Sequence, residues 1–478
     1  MRQLSKTKIL SALILSIPLL LIVYKLAEKR NPVLEIEGGK IQGLASETAG
    51  VYIYRGIPFA APPIGDLRWK APRKVIPWEG VRLADTFGPP AYQAKHEEGS
   101  FYQKEFFFDG DPPYSEDCLF LNIWTPAPGK SNQKLPVAMW IHGGGYVAGW
   151  GFEPEMDGEA WAERGVILVT INYRLGIFGF MAHPELSAEN PAGISGNYGI
   201  LDQIAALKWI KNNIAQFGGD PDNIMVFGQS AGANSVKQLV ASPLSRELMA
   251  SAVIMSGGGL SPQGGPMKSD SLDEAEEKGK SMMDIAGLDG LDKMRSASTE
   301  EIFGALQGYA DSMKQWLRWG PVIDGSVIPQ SFEDAAYAGQ IADIPYMIGF
   351  TMDDFGSLAD KGQIIDFCEL RKEQGGKAFA YQFARPLPGD SAGAFHSSEL
   401  WFVFHTLDRS WRPFTEGDAA LSETMVDAWT NFSKYGNPND AGGKSWQASS
   451  KSRTDCMVFK LDENGLEASE MRQPLPRR

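Results

Sequence analysis

The chain has 478 residues, 43% of them hydrophobic and 22% charged, a globular composition long enough for a substantial core. Its formal charge of −14 argues against nucleic acid or an anionic membrane surface as the main partner, since both select basic patches. Cys118, Cys368 and Cys456 are too few for a disulfide framework, and no Cys/His cluster has metal-ligand spacing, so neither a metal nor a cofactor is expected.

The elements follow in chain order. Arg2, Lys6 and Lys8 precede an apolar run from Ile9 to Tyr24, and Lys25, Lys29 and Arg30 follow it. As a helix that run spans about 24 Å, short of a ~30 Å hydrocarbon core, and Pro18 interrupts it. No small-x-small cleavage site follows, so residues 1–32 are expected to be an uncleaved anchor, with a cleaved signal peptide as the alternative. Either way the domain from residue 33 to 478 is expected outside the cytoplasm. Strand-forming runs then recur at Val51–Tyr54, Leu119–Trp124, Pro136–Ile141, Val166–Asn172, Ile224–Phe227, Ala252–Met255, Tyr346–Phe350 and Phe379–Phe383. Several are near-continuously apolar, as strands buried on both faces of a parallel sheet are. Between them, Asp202 to Phe217 reads as a helix with Ile204, Leu207, Ile210, Ile214 and Phe217 on one stripe, stopped by Gly218-Gly219-Asp220-Pro221. Ser269 to Ala286 reads as a solvated helix outside the sheet. Alternating strands and helices predict an α/β fold with one mostly parallel sheet flanked by helices.

The chemistry sits on the loops between these elements. The run Ile224–Phe227 drives into Gly228-Gln229-Ser230-Ala231-Gly232, and a helix-compatible stretch follows. A serine on such a strand–turn–helix is exposed at the apex, a candidate nucleophile. A second Gly-x-Ser-x-Gly occurs at Gly389–Gly393, but Pro386 and Pro388 before it make a loop rather than a central strand. His142-Gly143-Gly144-Gly145 follows the Pro136–Ile141 strand, and its backbone amides can turn inward towards an oxyanion, joined by the amide of Ala231. His142 itself is expected to be structural. Among the five histidines, His96 lies in a charged, exposed-looking run, His183 in a loop, and His405 after an aromatic run. His396 lies downstream of the serine before an apolar segment and fits the base best. The acid should leave a strand between them; Asp353 and Asp354 both follow Tyr346–Phe350, and the pattern alone does not choose.

With these residues in place, the chain resembles the type-B carboxylesterase family, the cholinesterase-like α/β-hydrolases, over about residues 35 to 460. The resemblance rests on Tyr54–Pro63, Ser115–Asn122, the His142 glycine run, Asn172-Tyr173-Arg174, Gly196–Gly199 and the Ser230 turn. It implies a triad of Ser230, Asp354 and His396, with Gly144, Gly145 and Ala231 as oxyanion amides. Three departures stand out. The acid is Asp where the family usually has Glu, which should reshape its loop or weaken the contact. Cys118 lacks its family disulfide partner, whose position Ala91 occupies, and should be a free thiol. Only 42 positions (396 − 354) separate acid and histidine, which implies a shallower, more open pocket. Phe101-Tyr102 with Phe106-Phe107-Phe108 either line its mouth or pack as a surface loop. The expected activity is hydrolysis of small to medium uncharged esters through an acyl-enzyme. An amidase, carbamate hydrolase or lipase with the same triad, or a non-catalytic binding protein on the same fold, are the rivals.

Overall fold

The computed structural model describes residues 32–261, 268–313, 319–439 and 445–476. The apolar run from Ile9 to Tyr24 lies outside the described residues. Among those described, no helix is long and apolar enough to cross a membrane.

All eight strand-forming runs enter one central sheet. Its eleven strands are β1 (Leu44–Ala45), β2 (Tyr52–Pro58), β3 (Phe120–Thr125), β4 (Leu135–Ile141), β5 (Ile167–Ile171), β6 (Gly219–Gln229), β7 (Ser251–Met255), β8 (Tyr346–Thr351), β9 (Ala378–Phe383), β10 (Cys456–Phe459) and β11 (Glu470–Arg472). The spatial order is β11-β10-β9-β8-β7-β6-β4-β5-β3-β2-β1. From β5 through β10 neighbouring strands are parallel, and both ends of the sheet are antiparallel. Every residue of β5, β7, β8 and β9 is buried, which explains why their sequences are apolar without alternation. The edge strands β1 and β11, and the apolar but four-residue β10 beside β11, are too short to stand out in the sequence.

The predicted helix at Asp202 is α1 (Tyr198–Asn213), extended by a 3-10 turn over Ile214–Phe217. Gly218, at φ 88°, then takes the left-handed conformation that ends it. It packs on β6, as does α2 (Ala231–Ala241) from the other end of that strand. The acidic stretch forms α3 (Leu272–Ile285), with a Ser271/Glu274 capping box at its start. Only its outer face is solvated. Ala275, Gly279, Met282 and Met283 are buried, and a Cβ on Gly279 would lie 1.9 Å from the Ala182 carbonyl oxygen. Cys118, Cys368 and Cys456 are free thiols, all buried.

One buried ion pair ties the end of β5 to α1. Arg174 Nε and Nη2 donate to the two Asp202 oxygens at 2.7 and 2.6 Å, and the Arg174 amide adds a third bond. Both side chains are almost fully buried. Removing one partner strands the other charge, at about 3–5 kcal/mol, whereas an apolar pair of similar volume need not. Urea unfolding of Arg174→Met should show a loss of that size, and Arg174→Met with Asp202→Leu should recover most of it.

Candidate active site

The site forms where the sheet changes direction. The chain leaves β4 for β5 on one side, then crosses back to place β6 on the other. The crevice outside the carboxyl ends of β4 and β6 is the place where open α/β sheets bind ligands. Ile141 pairs with Gly228, so the two strands end level and their following loops meet.

The loop after β6 is the Ser230 turn. Ser230 has φ 57° and ψ −119°, and its amide donates to the Met255 carbonyl at 2.9 Å. A non-glycine residue held there costs about 1–3 kcal/mol, which the surrounding packing must offset. Both glycines of the motif are enforced by contact. A Cβ on Gly232 would lie 2.0 Å from the Ile141 carbonyl oxygen, and one on Gly228 would lie 2.6 Å from Gly232. The second motif has no such setting: Ser391 is exposed in a loop, where neighbouring Asp390 pairs with Arg412.

The loop after β4 carries the glycine run. Gly143 lies against the turn, with a built Cβ 2.9 Å from the Gln229 carbonyl oxygen and 3.2 Å from Ser230 Cβ. Gly144 and Gly145 have φ of 88° and 64°. Among the described residues their amides donate to no protein acceptor, and Ala231 opens α2, whose first amides have no partner within the helix. Gly144 and Gly145 line the cavity that Ser230 also lines, and Ala231 is the next residue in the chain. His142 is structural, as expected: it stacks on Tyr173 at 4.5 Å, and burial pushes its pKa down to about 4, so it is neutral.

The two aspartates after β8 divide the work. Asp353 bridges to Phe395: its amide donates to the Ala394 carbonyl at 3.0 Å, and its Oδ2 accepts from the Ala394 amide at 2.7 Å. Asp354, the next residue, points into the site, and its Oδ1 lies 2.6 Å from His396 Nδ1. The shorter acid therefore reaches the imidazole without a weakened contact, held by the Phe355 amide at 2.8 Å. With Asp354 accepting from Nδ1–H, Nε2 carries the basic lone pair. Gln229 Nε2 sits 3.1 Å from it and donates there, a contact that the sequence pattern does not reveal.

Ser230, His396 and the glycine run line one cavity of about 850 Å³. Its wall includes Tyr102, Phe106 and Phe107, while Phe101 and Phe108 are exposed outside it, so the aromatic run divides between pocket and surface. Tyr102 also donates to the His396 carbonyl at 3.3 Å. Phe355 tilts over the His396 ring at 4.7 Å. His96 is a correction: its charged neighbours suggested an exposed loop, but the ring lines the cavity, bonded to Asp111 at 2.7 Å and stacked on Phe107 at 3.7 Å. The intervening charged residues face outward and the imidazole inward, an arrangement that composition cannot show.

The family model described as "Carboxylesterase family" matches residues 30–363 and 361–474. The chain belongs to the carboxylesterase family. It is 37% identical to a fumonisin B1 esterase of Sphingopyxis macrogoltabida, over 88% of this chain and 85% of that one. It is 33% identical to the para-nitrobenzyl esterase of Bacillus subtilis (strain 168), over 93% and 98% of the two chains. Among solved structures, carboxylesterase EST55 of Geobacillus stearothermophilus superposes with TM-score 0.75 at 32% identity, covering 92% of this chain and 98% of that one. A PNB esterase structure superposes with TM-score 0.78 at 29% identity. The fold is thus the α/β-hydrolase fold, and this carboxylesterase is a carboxylic-ester hydrolase.

Behind Asp354 lies a further acid. Glu399 is fully buried, with Ser256 Oγ 3.5 Å from its Oε1. Burial, and then the nearby Asp354 charge, push its pKa from 4.5 up to about 8. The neutral carboxyl is thus the form the fold accepts. A raised folded-state pKa means stability fully present below 4.5 and lost as pH rises through about 8. Glu399→Gln removes that loss. Its melting temperature relative to the wild type should therefore climb between pH 5 and pH 9; a constant difference would contradict a neutral Glu399.

Proposed function

We propose that this carboxylesterase is a serine hydrolase in which Ser230 attacks the ester carbonyl, His396 is general base and acid, and Asp354 orients the imidazole. The observation that carries this reading is the 2.6 Å Nδ1–Oδ1 bond between His396 and Asp354, in the same cavity as a serine on a strained turn. The Asp354 carboxylate fixes the Nδ1–H tautomer and stabilises the imidazolium that forms when Nε2 takes the Ser230 proton. The amide of Gln229 must give up Nε2 as the substrate enters. The Gly144, Gly145 and Ala231 amides hold the oxyanion, where losing one donor typically costs about 3–4 kcal/mol. Collapse of the tetrahedral intermediate expels the alcohol with a proton from His396, and water activated by His396 releases the acid. The mostly apolar wall suits small to medium esters, uncharged along most of their length.

Wild-type enzyme should release a burst of p-nitrophenol from a short-chain ester, and Ser230→Ala should abolish it. Asp354→Asn should lower kcat by about 10⁴-fold through the wrong imidazole tautomer. Ser391→Ala, away from the cavity, should turn over as the wild type does. Full activity of Ser230→Ala would overturn the scheme.

The run from Ile9 to Tyr24 is the basis for a second part of the proposal, that the domain is tethered outside the cytoplasm. In fractionated cells the full chain should then sediment with membranes, while a chain starting at Asn31 should not. Equal recovery of both in the soluble fraction would remove the tether.

A further inference from the structure

The cavity holds a second imidazole that the ester chemistry does not use. Among the described residues, His96 and His396 are the two histidines whose Nδ1 meets an aspartate. His96 Nδ1 donates to Asp111 Oδ1 at 2.7 Å, and the His96 amide donates to Asp111 Oδ2 at 2.9 Å. Burial opposes ionisation of Asp111, and the His96 bonds outweigh it, holding the carboxyl below its usual pKa. An ionised carboxylate only accepts, so a neutral His96 ring carries its proton on Nδ1 and its lone pair on Nε2.

The ring is also clamped. It stacks on Phe107 at 3.7 Å and meets Trp150 edge to face at 5.9 Å. Its Nε2 has no protein partner among the described residues, and the ring lines the cavity. A lone pair held this firmly loses little further freedom when a donor arrives. The rest of the wall selects the donor. Glu153 and Glu155 line the same cavity, and no basic side chain among the described residues pairs with either, so an anionic group is disfavoured there. A hydroxyl suits the imidazole in either protonation state, since it donates to a bare Nε2 and accepts from Nε2–H.

We propose that His96 Nε2 is a specificity-determining hydrogen-bond acceptor, which selects esters carrying a hydroxyl group remote from the reacting carbonyl, on the acyl or the alcohol part. Asp111 is its positioning residue. The subsite names a substrate class within the proposed ester hydrolysis, and it rests on that reading only for the turnover arm of its test.

The turnover arm compares esters of equal length that end in a hydroxymethyl, a methoxy or an ethyl group, over short to medium chains on each side of the ester. Phe106, Phe107 and Met156 stand in the cavity wall, and against apolar side chains alone the hydroxymethyl ester should be the poorest of the three. In the wild type it should instead lead both others in kcat/KM by about fivefold or more at one length at least. The methoxy group accepts but does not donate, so the lead over it isolates donation to Nε2. His96→Phe keeps a ring on Phe107 and removes the lone pair, and the order should reverse. His96→Phe combined with Asp111→Asn, which leaves no unpaired carboxylate, replaces the single variant if its melting transition shows misfolding. The binding arm needs no turnover. Calorimetry with the corresponding ketones, in which a methylene replaces the ester oxygen, should show the hydroxymethyl ketone binding wild type about fivefold tighter than the ethyl ketone. A folded variant should bind the ethyl ketone tighter. A hydroxyl that is disfavoured at every length in either arm, or a preference that survives loss of the imidazole, would overturn the subsite. Absence of turnover on every ester, beside hydroxyl-selective ketone binding, would count against the serine hydrolase reading and leave the subsite standing.

Discussion

The site depends on one close approach. The carbonyl oxygen of Ile141, at the end of β4, lies where a side chain on Gly232 would have to be. Because β4 and β6 are in register there, that oxygen fixes how near the first turn of α2 can come to the neighbouring strand. A shorter separation is impossible, and a larger one would lift Ser230 off the loop that carries Gly143 to Gly145. The positive φ of Ser230 follows from the same geometry, since the chain must reverse within one residue between a packed strand and a packed helix. The glycines are thus not a flexible setting for the serine. They let three backbone segments touch, and that contact sets the serine's orientation.

The sheet was legible because its central strands are buried on both faces, which leaves long β-branched and aromatic runs in the sequence. The Gly218 stop was legible because a single residue carries it. The glycine run after β4 and the Ser230 turn were legible for a related reason: glycine is required where backbones approach, and glycine can be seen. What stayed hidden was direction. Nothing in the pattern at Asp353-Asp354 tells which carboxylate points to the His396 loop backbone and which to its ring, because adjacent residues differ only in the side they face. His96 was misplaced for the same reason. Gln229 and Glu155 were passed over because their importance lies in partners more than one hundred residues away, or in partners that are missing.

The site is also unusual in its load of buried acid. Asp354, Glu399, Glu153 and Glu155 surround a largely apolar cavity, and only Asp354 meets a basic side chain among them. Burial raises the pKa of each of the others. Such a site responds to charge entering it more sharply than an apolar pocket would, since every neutral carboxyl is a charge held in reserve.

The chain order of these parts has a consequence for biosynthesis. The serine, its strained turn and the glycine amides all lie between Ile141 and Gly232, on neighbouring strands β4 and β6. The aspartate arrives only after β8 and the imidazole only after β9, strands that join the sheet beyond β7. A nascent chain that has emerged only through Gly232 would hold the proposed nucleophile without its proposed base. Under the proposed scheme Ser230 therefore lacks its base until residue 396 has been made and Asp353 has anchored the loop that bears it.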